Sequence, residues 1–104
     1  MTLVTREKLV RDLIPDAIRA EGGSPVVRVA SEQELDTLLR EKIVEEAQEL
    51  LLSGDAAEIA DVLEAIHTLL NLRRVGWCAI EAIRKQKKRL RGGFERGYVL
   101  SLGV

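Results

Sequence analysis

Four carboxylates stand at spacings that suggest chemistry: Glu46 and Glu49, then Glu58 and Asp61 after eight intervening residues. Each pair is spaced i, i+3, which stacks two side chains on one helical face. At about 100° per residue, Leu35, Leu38, Leu39, Ile43 and Leu50 share an arc of about 140°. Glu46, Glu49 and Lys42 fall inside that arc, whereas Glu41 and Glu45 lie outside it. Further on, Ile59, Val62, Leu63, Ile66, Leu69 and Leu70 define a second apolar arc, with Glu58 inside it and Asp61 at its edge. Carboxylates buried without partners are strongly disfavoured. These four therefore need cations: a basic side chain, a metal, or both. Oxygen donors with no His or Cys among them favour Mg²⁺, with Mn²⁺ as the alternative, over zinc. Two simpler roles stay open. Glu58 follows Asp55 by three residues and can complete a capping box. Glu49 can pair with a Lys or Arg of another helix.

Helices must hold these side chains. Ser31-Glu32-Gln33-Glu34 matches a capping box and opens a long helix that runs to Leu52. Ser53-Gly54-Asp55 breaks it, with Gly54 suited to the left-handed turn after a helix. Asp55 caps a second helix to about Arg74. Gly76 interrupts, and Trp77 to about Leu90 forms a third, ended by Gly92-Gly93. Upstream, Pro15 fits the first position of a short helix stopped at Gly22-Gly23. Residues 24–30 and 97–102, rich in β-branched and apolar types, read as two short strands that could pair. The short turn at 53–55 makes its flanking helices antiparallel neighbours and brings all four acids to one end of the pair. The expected fold class is all-α, mainly helical, with a small two-stranded β element.

Composition sets the frame. A chain of 104 residues is one domain; 46% are apolar but only 3% aromatic, so Leu, Ile, Val and Ala must build the core. So small a chain buries a modest fraction of its surface, and a partner copy would help. One cysteine, Cys78, excludes an intrachain disulfide and fits a reducing cytoplasm. With no leader pattern and no apolar run near 18 residues, a soluble cytoplasmic protein with no membrane contact is expected. The net charge of −1 hides a segregation: residues 31–64 carry 11 acidic and 2 basic side chains, residues 84–96 carry 7 basic and 1 acidic. These are either two solvated faces that attract each other, or a cation site beside a phosphate site. The RKQKKRLR run at 84–91 lacks a nucleic-acid-binding motif around it, and the chain is acidic overall, so no nucleic-acid partner is expected.

The ExxE…ExxD arrangement, Glu46-Ala-Gln-Glu49 and Glu58-Ile-Ala-Asp61, resembles the signature of the all-α nucleoside triphosphate pyrophosphohydrolases, the MazG-like and phosphoribosyl-ATP pyrophosphohydrolase-like superfamily. Lys8-Leu9-Val10-Arg11-Asp12-Leu13-Ile14-Pro15 and Arg91-Gly92-Gly93-Phe94-Glu95 are similar to the opening and closing stretches of a branch described as predicted house-cleaning nucleotide pyrophosphatases. The resemblance implies an antiparallel MazG-like helix bundle over residues 1–104 that binds Mg²⁺ through those acids. It further implies cleavage of a nucleoside triphosphate, or a phosphoribosyl-ATP-like compound, between the α and β phosphates. Dimers or tetramers with sites near subunit interfaces are implied as well.

No residue offers a covalent nucleophile. Cys78 has no base beside it in sequence and reads as a small core residue. His67 lies opposite its helix's apolar stripe, as a surface or intersubunit residue. The route left is water attack assisted by metal at Glu46, Glu49, Glu58 and Asp61, with Glu46 or Glu49 accepting the water's proton. Lys8, Arg11, Lys42, Lys88 and Arg91 are the candidates to bind the phosphates. Glu45 either reaches an outer metal or stays solvated. Gly92-Gly93 is either a helix stop or a loop whose N–H groups approach a phosphate. Phe94 reads as core, and Trp77 as packing against a helix end or a second copy. The alternative to an enzyme is a non-catalytic helical oligomerisation module.

Overall fold

A computed structural model describes residues 7–103. Four helices follow in order: α1 (Ile14–Ala20), α2 (Glu32–Ser53), α3 (Ala57–Arg73) and α4 (Trp77–Arg91). The all-α expectation holds. The two expected strands do not form: none of the described residues is in a strand, and Val26, Val29, Val99 and Leu100 are exposed. β-Branched runs become strands only where a neighbour supplies the backbone ladder. Instead, Arg28 grips Glu34 with both ends of its guanidinium, at 2.8 and 2.5 Å, and reaches Glu7 at 2.7 Å. That pairing ties 24–30 to the head of α2 as a loop.

The long helix starts where its cap predicts. Ser31 is extended, and its Oγ accepts the Glu34 N–H at 3.2 Å. Glu32 and Glu34 place negative charge against the positive end of the helix. Gly54 ends α2 in the left-handed region at φ 66°, donating its N–H to the Leu50 carbonyl. The turn is then set by side chains: Ser53 Oγ accepts the Asp55 N–H, and Asp55 Oδ1 accepts the Ala57 N–H, both at 3.0 Å. α3 runs back along α2, and these two helices make the one extensively packed pair among the described residues. Leu39 and Ala65 are the buried residues of that contact.

Two pieces lean on the hairpin. Residues 7–13 form an irregular strap leading into α1, with Pro15 in its first turn. On the other side of the chain, Arg74 closes α3 in the left-handed region at φ 57°. Trp77 at the head of α4 stacks on His67, with ring centroids 4.5 Å apart and planes 21° from parallel. No helix among the described residues is long and apolar enough to cross a membrane.

Candidate functional site

The α2–α3 hairpin brings three of the four acids together. One carboxylate oxygen each from Glu46, Glu58 and Asp61 lies within 4.8 Å of the others, and all three side chains are half-buried. Glu46 and Glu49 share α2, but Glu49 stands outside this group and is exposed. Its charge still acts on the cluster, because it helps raise the proton affinity of Glu58. Glu58 makes no capping box: the N–H of Asp55 is taken by Ser53 Oγ. The competing reading of that residue as a helix cap therefore falls.

The acids are unevenly neutralised. Lys42, one turn back on α2, reaches Glu46 at 3.1 Å and Glu45 at 3.5 Å. From the strap, Arg11 binds Asp61 at 2.7 Å and Lys8 binds Glu45. Among the described residues Glu58 has no cationic partner. Its carboxyl is held above the ordinary carboxylate range, first by desolvation, then by the charge of Asp61 and their shared hydrogen bond, with Glu46 and Glu49 adding to it. Glu45 goes the opposite way, chiefly through its hydrogen bond with Lys8.

Behind the acids opens a cleft of about 570 Å³. Leu35, Leu39 and Ala65 form its apolar floor, the strap from Leu9 to Ile14 one wall, and Lys42, Glu46 and Asp61 its charged part. That volume is in the range of small-molecule sites. Glu64 and Thr68 also line it, the Thr68 hydroxyl donating to the Glu64 carbonyl at 2.9 Å. Sequence spacing did not single these two out; they fall one and two turns beyond Asp61 on its side of α3, and that offset was the available signal.

No family model and no solved structure matches the chain. A protein of Mycolicibacterium smegmatis, described only as uncharacterized, is 49% identical to it over 43 residues. The matched stretch is 41% of this chain and 44% of that relative, so less than half of the relative's length is spanned.

Of the five candidate phosphate-binding cations, Lys8, Arg11 and Lys42 gather at the acids. Lys88 and Arg91 do not. Both are exposed on α4 and absent from the cleft lining, and Lys88 pairs with Glu95 at 3.2 Å. Phe94 and Cys78 are exposed and not core. Among the described residues α4 packs extensively on no other helix, and none of its side chains lines the cleft.

The ionic pattern has a pH consequence. Glu7, Glu34, Asp36, Glu45, Glu81 and Glu95 all have carboxyls held below their ordinary values, each with a basic partner contributing, and only Glu58 is raised. A depressed carboxyl contributes stability above its unfolded pKa and loses it as pH falls through the folded one. Glu58 has the opposite sign. With six against one, the melting temperature should fall steadily as pH drops from about 5 to about 3. Asp36→Asn, which removes the partner of Arg73, should flatten that fall in a thermal-denaturation series.

Proposed function

We propose that this chain is a Mg²⁺-dependent nucleotide pyrophosphohydrolase that cleaves a nucleoside triphosphate, or a phosphoribosyl-ATP-like compound, to monophosphate and pyrophosphate. Nucleotide-pool house-cleaning in the cytoplasm is the corresponding role, and the all-α MazG-like bundle the corresponding family. The observation that carries it is the convergence of Glu46, Glu58 and Asp61 beside a ligand-sized cleft with cations on its walls. The donor set fits a hard divalent ion: three carboxylate oxygens close together, one of them on a residue with no cationic partner among those described.

When bound, such an ion supplies positive charge to phosphate oxygens and makes a coordinated water acidic. The protein's own part follows from its side chains. Glu46, Glu58 and Asp61 hold the ion, with Mn²⁺ as an alternative to Mg²⁺. Glu49, exposed at the edge of the group, accepts the proton from attacking water, with Glu46 the second candidate. Lys42, 3.1 Å from Glu46, holds that carboxylate in place. Lys8 and Arg11 exchange their carboxylate partners for phosphate oxygens when substrate enters, offsetting charge on the leaving pyrophosphate. The apolar floor takes the nucleoside and excludes water. Lys88 and Arg91 can join only from a second copy, which agrees with a homo-oligomer.

A panel of nucleoside triphosphates with Mg²⁺, scored for pyrophosphate against orthophosphate, tests the reading. Pyrophosphate from at least one member is expected; orthophosphate alone contradicts α–β cleavage. A second reading, a non-catalytic helical assembly module, is favoured by the many exposed apolar side chains. It predicts no change in melting temperature on adding Mg²⁺, whereas an ion bound only to the folded state raises it.

A further inference from the structure

Past the ion group the cleft changes character. Its two cations are already engaged: Arg11 lies 2.7 Å from Asp61, and Lys42 lies 3.1 Å from Glu46. The other polar side chains of the lining are Asp12, Glu64 and Thr68. Two of these are carboxylates, and among the described residues neither pairs with a cation. The third is a hydroxyl with one proton, which it donates to the Glu64 carbonyl at 2.9 Å. These side chains therefore offer acceptors and no free donor. The floor beneath, Leu35, Leu39 and Ala65, is aliphatic, and no aromatic side chain lines the cleft. An apolar floor of that kind discriminates weakly between flat rings of similar size. Any choice among bases must come from the base's polar edge.

Position selects Glu64 from the two acids. It follows Asp61 by three residues on α3, so the two side chains share a face, and Thr68 stands one turn further on. The helical rise sets Glu64 about 5 Å and Thr68 about 10 Å along the axis from Asp61. A ribose imposes a separation of that order between a phosphate and the edge of its base. Asp12 lies outside any helix, beside Arg11 on the strap. Charge fixes which way round a nucleotide lies. The triphosphate is drawn to the ion and the cations, and an unpaired carboxylate repels it. What faces Glu64 is then the base. A carboxylate presents two acceptor oxygens side by side. Among the common bases only guanine carries two adjacent donors on its pairing edge, N1–H and N2–H. Adenine and cytosine set an amino group beside a bare ring nitrogen, and uracil sets one N–H between two carbonyls. Against a carboxylate each of these brings a lone pair into repulsion.

We propose that Glu64 is a specificity-determining residue that selects guanine, its two carboxylate oxygens accepting from N1–H and N2–H, so that the substrate is a guanine nucleotide. This rests on the nucleotide reading of the cleft. The test has one arm without hydrolysis, since a nucleoside monophosphate has no anhydride to cleave, and the two claims can then fail separately. In Mg²⁺, titration calorimetry should show guanosine monophosphate binding wild type about 10–100-fold tighter than adenosine monophosphate, as expected for hydrogen bonds to a charged, partly solvated group. Inosine monophosphate, which lacks the N2 amino group, should fall between them. Glu64→Gln keeps the size but turns one acceptor into a donor. It should bring the guanosine and adenosine affinities within about three-fold while circular dichroism stays helical. Asp12→Asn should leave the guanine preference in place. In the hydrolysis arm, GTP should lead the other triphosphates in kcat/KM by a factor like that in binding. Equal affinity of wild type for the two monophosphates overturns the proposal, as does no detectable binding of either at about 1 mM. A preference that survives Glu64→Gln, or is lost in Asp12→Asn, overturns it too. Guanine-selective binding with no pyrophosphate release keeps the role of Glu64 and removes hydrolysis. Pyrophosphate released equally from every triphosphate keeps hydrolysis and removes the role of Glu64.

Discussion

Asp61→Asn should reduce Mg²⁺-dependent pyrophosphate release by about 100-fold or more while leaving the helices intact. The substitution keeps shape and removes one of three clustered anionic oxygens. It also releases Arg11, but both members of that pair are partly solvated, with side chains 56% and 37% exposed. Such a pair is worth under about 1 kcal/mol to the fold. Breaking it from the other end separates the two effects. Arg11→Gln leaves the carboxylate in place and should cost about ten-fold at most, mainly as weaker substrate binding. Glu58→Gln should behave like Asp61→Asn, and Glu49→Gln should lower turnover without weakening the Mg²⁺-induced rise in melting temperature. Equal losses in Asp61→Asn and Arg11→Gln would point to the ion pair and not to ligation. Unchanged turnover in Asp61→Asn, Glu58→Gln and Glu49→Gln together would remove the catalytic reading.

The second large effect is on stability. Leu39 is 3% exposed and is the single large apolar side chain classed as buried among the described residues. It forms part of the cleft floor and of the α2–α3 contact. Leu39→Ala should lower the unfolding free energy by about 2–4 kcal/mol, the transfer loss plus the void left behind. For a chain near 100 residues that is a drop in melting temperature on the order of 10–20 °C. Leu52→Ala, on a side chain 83% exposed, should stay within about 0.5 kcal/mol of wild type. Denaturant unfolding of the three proteins in parallel measures the contrast. Equal stability in all three would mean that the core lies elsewhere.

Local chemistry was legible in the sequence, and contacts between distant segments were not. The start of α2 followed from Ser31, its end from Gly54, and the start of α4 from the Gly76 break. All three depend on atoms within a few residues. The capping box at Ser31 was legible by half. Ser31 does accept from Glu34, but the Glu34 carboxylate turns outward to Arg28, six residues upstream. That choice depends on Glu7 lying close enough to share the guanidinium, which no spacing rule reports. The same pairing undid the strand expected at 24–30. Glu46, Glu58 and Asp61 converge because a tight turn reverses the chain, which their periodicity anticipated. Glu49 fell outside because the fourth position of the pattern lies further round α2, toward water. Lys88 and Arg91 were expected near the acids from their charge; charge says what attracts, but packing decides what meets, and no residue of α4 lines the cleft.

The elbow between α3 and α4 offers a reading of its own. The chain has one tryptophan and one histidine, and at this elbow the indole lies nearly parallel to the imidazole. Tryptophan emission therefore comes from a single locus, stacked on the one imidazole of the chain. The molecule thus carries its own optical gauge of how α4 is set, readable without a label and without touching the carboxylates.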